Sequence, residues 1–175
     1  MRHPGSDDAA GEAFWRFSLA LYVRPGVAEA LIAIQDRAGH DVNLILFGLW
    51  LGASEGRILA AGELEAAEAA ITPVAGAAVA PLRRLRRQLK GSLDADLAML
   101  RRRVGALEIA AERRVQYRLA AQGSGASGAK PDGDPLAAAQ ANLALVLGAE
   151  AVAPETLILR DALASLTRRA PRSQH

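Results

Sequence analysis

The sequence predicts an all-α fold: a compact bundle of about seven or eight helices around a central apolar helix, with a C-terminal helix pair after a flexible linker. Three observations carry this. Strand-favouring residues are sparse, aromatics making up only 4% of 175 residues. Apolar residues recur at spacings of three and four through most of the chain. Residues 42–51, VNLILFGLWL, are apolar on nearly every side, as a helix at the middle of a bundle must be. With 51% apolar residues, one domain can bury roughly two thirds of its unfolded surface, whereas two would leave both cores thin.

Residues 1–10 read as a disordered N-terminus, 11–121 as the bundle core, 122–134 as the linker, 135–169 as the C-terminal pair and 170–175 as a tail. The first helix spans about 11–22, with Phe14, Trp15, Ser18, Leu19 and Tyr22 on one side. Pro25 opens a second, because proline suits a first helical turn. Gly39 ends it, and Asp41 caps the third. A short helical turn at 57–61 and an acidic helix, GELEAAEAAI, follow, with Thr72-Pro73 as the next cap and first turn. Helix then runs over 74–90, with Pro81 kinking or restarting it. Lys90-Gly91-Ser92 closes that helix and caps the longest one, 93–121. There Leu93, Leu97, Leu100, Val104, Leu107 and Ala111 alternate spacings of four and three, the pattern of lengthwise helix packing. GSGASGAKPDGD is too polar and glycine-rich to pack. Beyond it, Pro135 and Pro154 open two final helices that either dock on the bundle or swap to a partner.

Zero cysteines remove disulfides, thiolate metal sites and cysteine nucleophiles, and fit a reducing compartment. The start of the chain lacks a signal-peptide core, and 42–51 falls far short of the roughly 20 residues of a spanning helix. A cytoplasmic protein with no membrane span is expected. Charge is unevenly laid out: five Arg face ten acids over residues 1–70, and eleven basic residues face four acids over 71–121.

Three groups of residues are candidate sites. Gln35, Asp36, His40, Asp41 and Asn43 surround one interhelical turn, where a polar cluster against an apolar wall could serve an enzyme or a small apolar ligand. Capping and backbone satisfaction explain the same residues more simply. Neither a catalytic residue nor a metal site is assigned, and no cofactor is expected: no Ser-His-Asp order, phosphate loop or HExxH pair occurs. Arg83, Arg84, Arg87, Lys90, Arg102, Arg103, Arg113 and Arg114 lie on two helices expected to be antiparallel, so part of this charge could form a surface for RNA or the ribosome. Tyr117 is the only aromatic there, which supplies base stacking poorly. Finally, six of the seven aromatics fall within 14–50. Phe14, Trp15 and Phe17 span about 300° of a helix at 100° per residue, so one face cannot bury all three. At least one ring must reach an edge, a groove or a partner, which makes Phe14, Trp15, Phe17 and Tyr22 the candidate interaction surface.

The stretch FW..SLALY..PGV...L...QD..G.DVN..LF..W, followed by PLRRLRRQLK and ERRVQYRLA, resembles an uncharacterised family of small helical bacterial proteins, a domain of unknown function, over about 12–121. The resemblance implies an all-helical cytoplasmic protein and assigns no activity, cofactor or residue role. The expected function is accordingly binding without catalysis, as a protein-interaction adaptor or regulator with an unidentified protein partner. RNA association is the alternative, and a homo-oligomer is compatible with either.

Overall fold

The computed structural model describes residues 4–123 and 134–168, with side chains from residue 8. The elements in order are α1 (Pro4–Tyr22), α2 (Val27–Ala38), α3 (Val42–Glu55), α4 (Ala61–Val74), a π-helical turn (Ala75–Val79), α5 (Ala80–Gln88), α6 (Ala95–Gly123), α7 (Pro135–Leu147), a 3₁₀ turn (Gly148–Val152) and α8 (Pro154–Arg168). No strand occurs among the described residues. The fold is therefore all-α.

Helix α3 is the hub, with every residue from Val42 to Gly52 buried. Each of its large apolar side chains contributes about 2 kcal/mol on transfer from water. The Asp41 carboxylate starts it by accepting a hydrogen bond from the Asn43 amide at 2.7 Å. Phe14 of α1 stacks on Trp50 at 5.0 Å and tilts against Phe47 at 6.0 Å, forming the aromatic centre of the core.

On the opposite side α3 carries Gly48 and Gly52, and α7 lies directly over them. A Cβ on Gly52 would stand 2.2 Å from the Ala139 backbone, and one on Gly48 would stand 3.3 Å from Asn142 Cβ. The two glycines thus form the bed for a helix approaching backbone to backbone. Asn142, fully buried, fastens α7 there. Its Nδ2 donates to the carbonyls of Gly48 (2.9 Å) and Arg57 (2.8 Å), and its Oδ1 accepts from the Leu59 amide at 2.7 Å. Helix α8 packs on α2, where Arg37 joins Glu150 (2.8 Å) and Glu155 (2.9 Å). The C-terminal pair thus packs on the bundle, α7 on α3 and α8 on α2. Pro135–Val152 reaches the length and hydropathy of a membrane-crossing segment, and in this fold its buried side chains, including Ala139, Asn142 and Val146, face α3.

Several local expectations need correction. Helix α1 begins at Pro4 rather than near Gly11, so residues 4–10 are helical; residues 1–3 lie outside the described residues, as do most of the linker (124–133) and the tail. Residues 56–60 are a loop, and Thr72-Pro73 starts nothing. Pro73 sits inside α4, the Thr72 hydroxyl donates back to the Glu68 carbonyl at 2.8 Å, and the π turn carries the chain into α5 with Pro81 in its first turn. The cap of α6 is Asp94, which accepts from the Asp96 and Leu97 amides, rather than Ser92. The expected leucine stripe does not hold as one face: Leu93 lies before α6 begins, Val104 is buried on the side of α6 that meets α5, and Leu97, Leu100 and Leu107 are exposed.

Candidate functional site

Where α1, α3, α5 and α6 meet, they leave a cavity of about 240 Å³. Trp15, Leu19 and Tyr22 from α1, Val42 and Leu46 from α3, and Ile109 from α6 make walls that are mostly apolar. Ser18, Asn43, Glu112, Gln116 and Arg83 supply the polar atoms. Asn43 points inward because the cap at Asp41 fixes the first turn of α3 against α6. Its Nδ2 donates to Glu112, and its Oδ1 accepts from Gln116 Nε2 at 3.1 Å. Arg83 reaches from α5 to Glu112 at 2.5 Å and to Glu108 at 3.4 Å. The Ser18 hydroxyl is spent on the Phe14 carbonyl at 3.1 Å.

One acceptor in this network has no donor. Gln116 is 3% exposed, and its Oε1 lacks a hydrogen-bond partner among the described residues. A buried amide oxygen left in this state costs about 1–3 kcal/mol, so it marks where a donor from outside would be welcomed. Burial holds the Glu112 carboxyl above the usual carboxylate range, against the opposing pull of the Asn43 amide and Arg83. Burial, and then the Glu112 carboxylate, pushes the Tyr22 phenol up to about 12. The rim is apolar and open, with Leu19 49% and Ile109 59% exposed.

The predicted site residues part company here. From the aromatic set, Trp15 and Tyr22 line the groove, Phe14 is core, and Phe17 is half-buried against the core. From the polar set only Asn43 enters, and it bonds side chains rather than backbone. Asp41 caps, Asp36 is exposed and 3.9 Å from Arg87, Gln35 contributes its carbonyl to the Gly39 amide, and His40 is half-buried in the turn. No group of three metal-ligating side chains occurs among the described residues.

The basic set does not merge into one surface. Arg83 and Arg86 close on Glu108, whose carboxyl the Arg86 guanidinium holds below the usual range. Arg113 pairs with Glu12 and lies over the Trp15 and Tyr117 rings, and Arg114 also lies over Tyr117. Val104 and Glu108 mark the side of α6 that meets α5, so Arg102 and Arg113 face away from it. Arg84, Lys90, Arg102 and Arg103 are exposed and have no acidic partner among the described residues.

Glu112 and Gln116 were not singled out in the sequence. They sit at i and i+4 on α6 beside two buried valines and a leucine, so their spacing was the available signal.

Fold and groove together define a small all-helical domain with one apolar groove over a buried polar floor. Residues 13–119 match the family described as a protein of unknown function, DUF2390, and the chain belongs to it. The matched stretch holds every residue of the groove and ends before α7. No curated protein and no solved structure matches the chain.

Proposed function

We propose that this protein acts by binding, as an adaptor or regulator, and that its groove receives a side chain from a protein partner. One observation carries the reading: Gln116, which lines an apolar groove, has a buried Oε1 with no hydrogen-bond partner among the described residues. The occupant that completes it has an apolar body and one neutral donor, as an indole N–H or a phenol O–H provides. A cation would meet Arg83 and an anion would meet Glu112, each at a desolvation cost. The cavity of about 240 Å³ is smaller than the roughly 300–1,000 Å³ of pockets that enclose drug-sized molecules, which favours a single side chain. The exposed Leu19 and Ile109 rim offers the surrounding apolar contact that excludes water from such an anchor.

The test is a chemical-shift titration with N-acetyltryptophanamide and, in parallel, N-acetylphenylalaninamide. The indole is expected to move the side-chain amides of Asn43 and Gln116 and the Trp15 indole, and to bind more tightly than the phenyl probe. Gln116→Leu should erase that preference. Equal binding of both probes, or shifts confined to other surfaces, would reject the groove as an anchor site.

A further inference from the structure

One wall of the groove is held differently from the others. Helices α1, α3 and α6 each bury apolar side chains in the core, whereas α5 buries none. Its half-buried residues, Leu82, Arg83, Arg86 and Leu89, lie on one side of the helix. That side meets α6 through ion pairs, Arg83 with Glu112 and Glu108, and Arg86 with Glu108. Both ends of α5 are soft. Before it, Pro73 and Pro81 bracket the π turn and donate no backbone N–H, the Ala80 amide reaches back to the Ala75 carbonyl, and open space surrounds Gly76. After it, the connection 89–94 is largely exposed and turns at Gly91, whose φ is +81°.

We propose that α5 is a hinged flap on the groove, lifting from α6 to admit an occupant and latching shut through Arg83 and Arg86. The flap's purpose rests on the groove reading; its motion does not. A segment that buries no apolar side chain opens at a small fraction of the cost of global unfolding. Buried Val79 keeps the π turn seated, so the movement is confined to the residues that follow it. Lifting α5 withdraws Arg83 from the groove wall and uncovers Glu112 beside Asn43 and Gln116. Closure returns Arg83 to Glu112 and shields from water any bond an occupant makes to the Gln116 oxygen.

The latch is weak enough to release. Solvent reaches the Arg83 and Arg86 side chains, which are 26% and 35% exposed, so salt screens their attraction for the carboxylates. Hydration of Glu112 in the open state offsets part of the loss, because burial is what disfavours its charge in the closed one.

Hydrogen exchange of the full chain, read by mass spectrometry, tests the motion. Amides of residues 82–88 should exchange at least about tenfold faster than those of residues 104–116 on α6. Raising NaCl to about 1 M should speed residues 82–88 by about threefold and leave residues 42–52 unchanged, an effect on the parent chain that needs no variant. Arg86→Gln, which loosens the latch without touching the groove, should do the same. A covalent lock tests the consequence. The chain has no cysteine, and a Cβ on Gly105 would stand 3.5 Å from Arg86 Cδ, so Arg86→Cys with Gly105→Cys can be bridged by a short bis-methanethiosulfonate linker. Bridging should slow exchange in α5 to the rate of α6 and slow entry of N-acetyltryptophanamide by about tenfold, and dithiothreitol should reverse both. Exchange of α5 in step with α6 in the parent chain overturns the proposal, as does probe entry that bridging leaves unchanged. A probe that binds no form of the chain rejects the groove reading instead, and the exchange rates then decide the flap.

Discussion

Gly52→Ala should be among the most damaging single changes in the chain, although it adds one methyl group to a helix. The new Cβ would lie 2.2 Å from the Ala139 Cα and N, and ordinary contact begins at 3.4 Å. The obstacle is backbone, which cannot rotate away, so α7 must retreat by roughly 1.2 Å, the difference between those distances. Retreat pulls Asn142 off its partners. Its three hydrogen bonds, now 2.7–2.9 Å, would stretch beyond the roughly 3.5 Å at which such bonds cease to count. At about 1 kcal/mol each, more where a buried partner stays unsatisfied, they account for about 3 kcal/mol. Lost packing between α3 and α7 adds on the order of 1–2 kcal/mol. The better helix propensity of alanine returns only about 1 kcal/mol. The net expectation is about 3–4 kcal/mol of destabilisation in urea unfolding, and a fall in Tm of roughly 10 °C for a domain of this size. Gly62→Ala is the control: nothing lies within 4 Å of its added Cβ, and stability should hold or rise by about 0.5 kcal/mol. If Gly52→Ala proves within about 1 kcal/mol of the parent, the close approach of the two helices is wrong.

Asn142→Leu should cost about 3 kcal/mol in the same assay, because it leaves the Leu59 amide and the Arg57 carbonyl buried without their partner. Glu112 gives a pH signature. Its folded pKa lies above the unfolded value, so its contribution to stability is complete below about pH 4.5 and is lost as pH rises through the raised native pKa. Glu12, Glu63, Glu108 and Glu155, all held low, work in the opposite sense but are shared by parent and variant. Glu112→Gln should therefore gain stability relative to the parent between about pH 4 and pH 7, and a difference flat with pH would refute the buried carboxyl. Replacing Arg83, Arg87, Arg102 and Arg113 by Gln should leave retention on immobilised RNA nearly unchanged, since Arg83 and Arg113 already hold carboxylates. A steep loss that follows the logarithm of salt concentration would restore the nucleic-acid reading.

How far the sequence reveals this molecule depends on where each signal is stored. The hub was legible because burial on every side leaves a run with no polar face, and residues 42–52 have none. Asp41 was legible because an N-cap is a local interaction, complete within two residues. The bed of α7 was not: Gly48 and Gly52 read as interruptions in an apolar helix, and their meaning depends on a backbone more than eighty positions away. Thr72-Pro73 misled because a proline may enter a running helix where a π turn absorbs the change of register. The groove fell between these cases. Phe14, Trp15 and Phe17 cannot share one face, so an uncovered ring was predictable, but the floor of Glu112 and Gln116 belongs to a helix most of whose charged residues face solvent.

Helix α3 joins the two halves of this architecture through a single rotation. Its first turn directs Asn43 into the groove beside Glu112 and Gln116, and its later turns present Gly48 and Gly52 to α7. Asp41 sets that rotation by capping the helix on the Asn43 amide itself. Asp41→Ala should consequently do two things that a simple cap variant does not. It should cost about 1 kcal/mol of stability, as caps do. It should also weaken N-acetyltryptophanamide binding, because the Asn43 carbonyl that orients Gln116 Nε2 is no longer held in place. Loss of stability with unchanged probe affinity would show that the floor is fixed by α6 alone, and that the cap and the groove are independent parts of the fold.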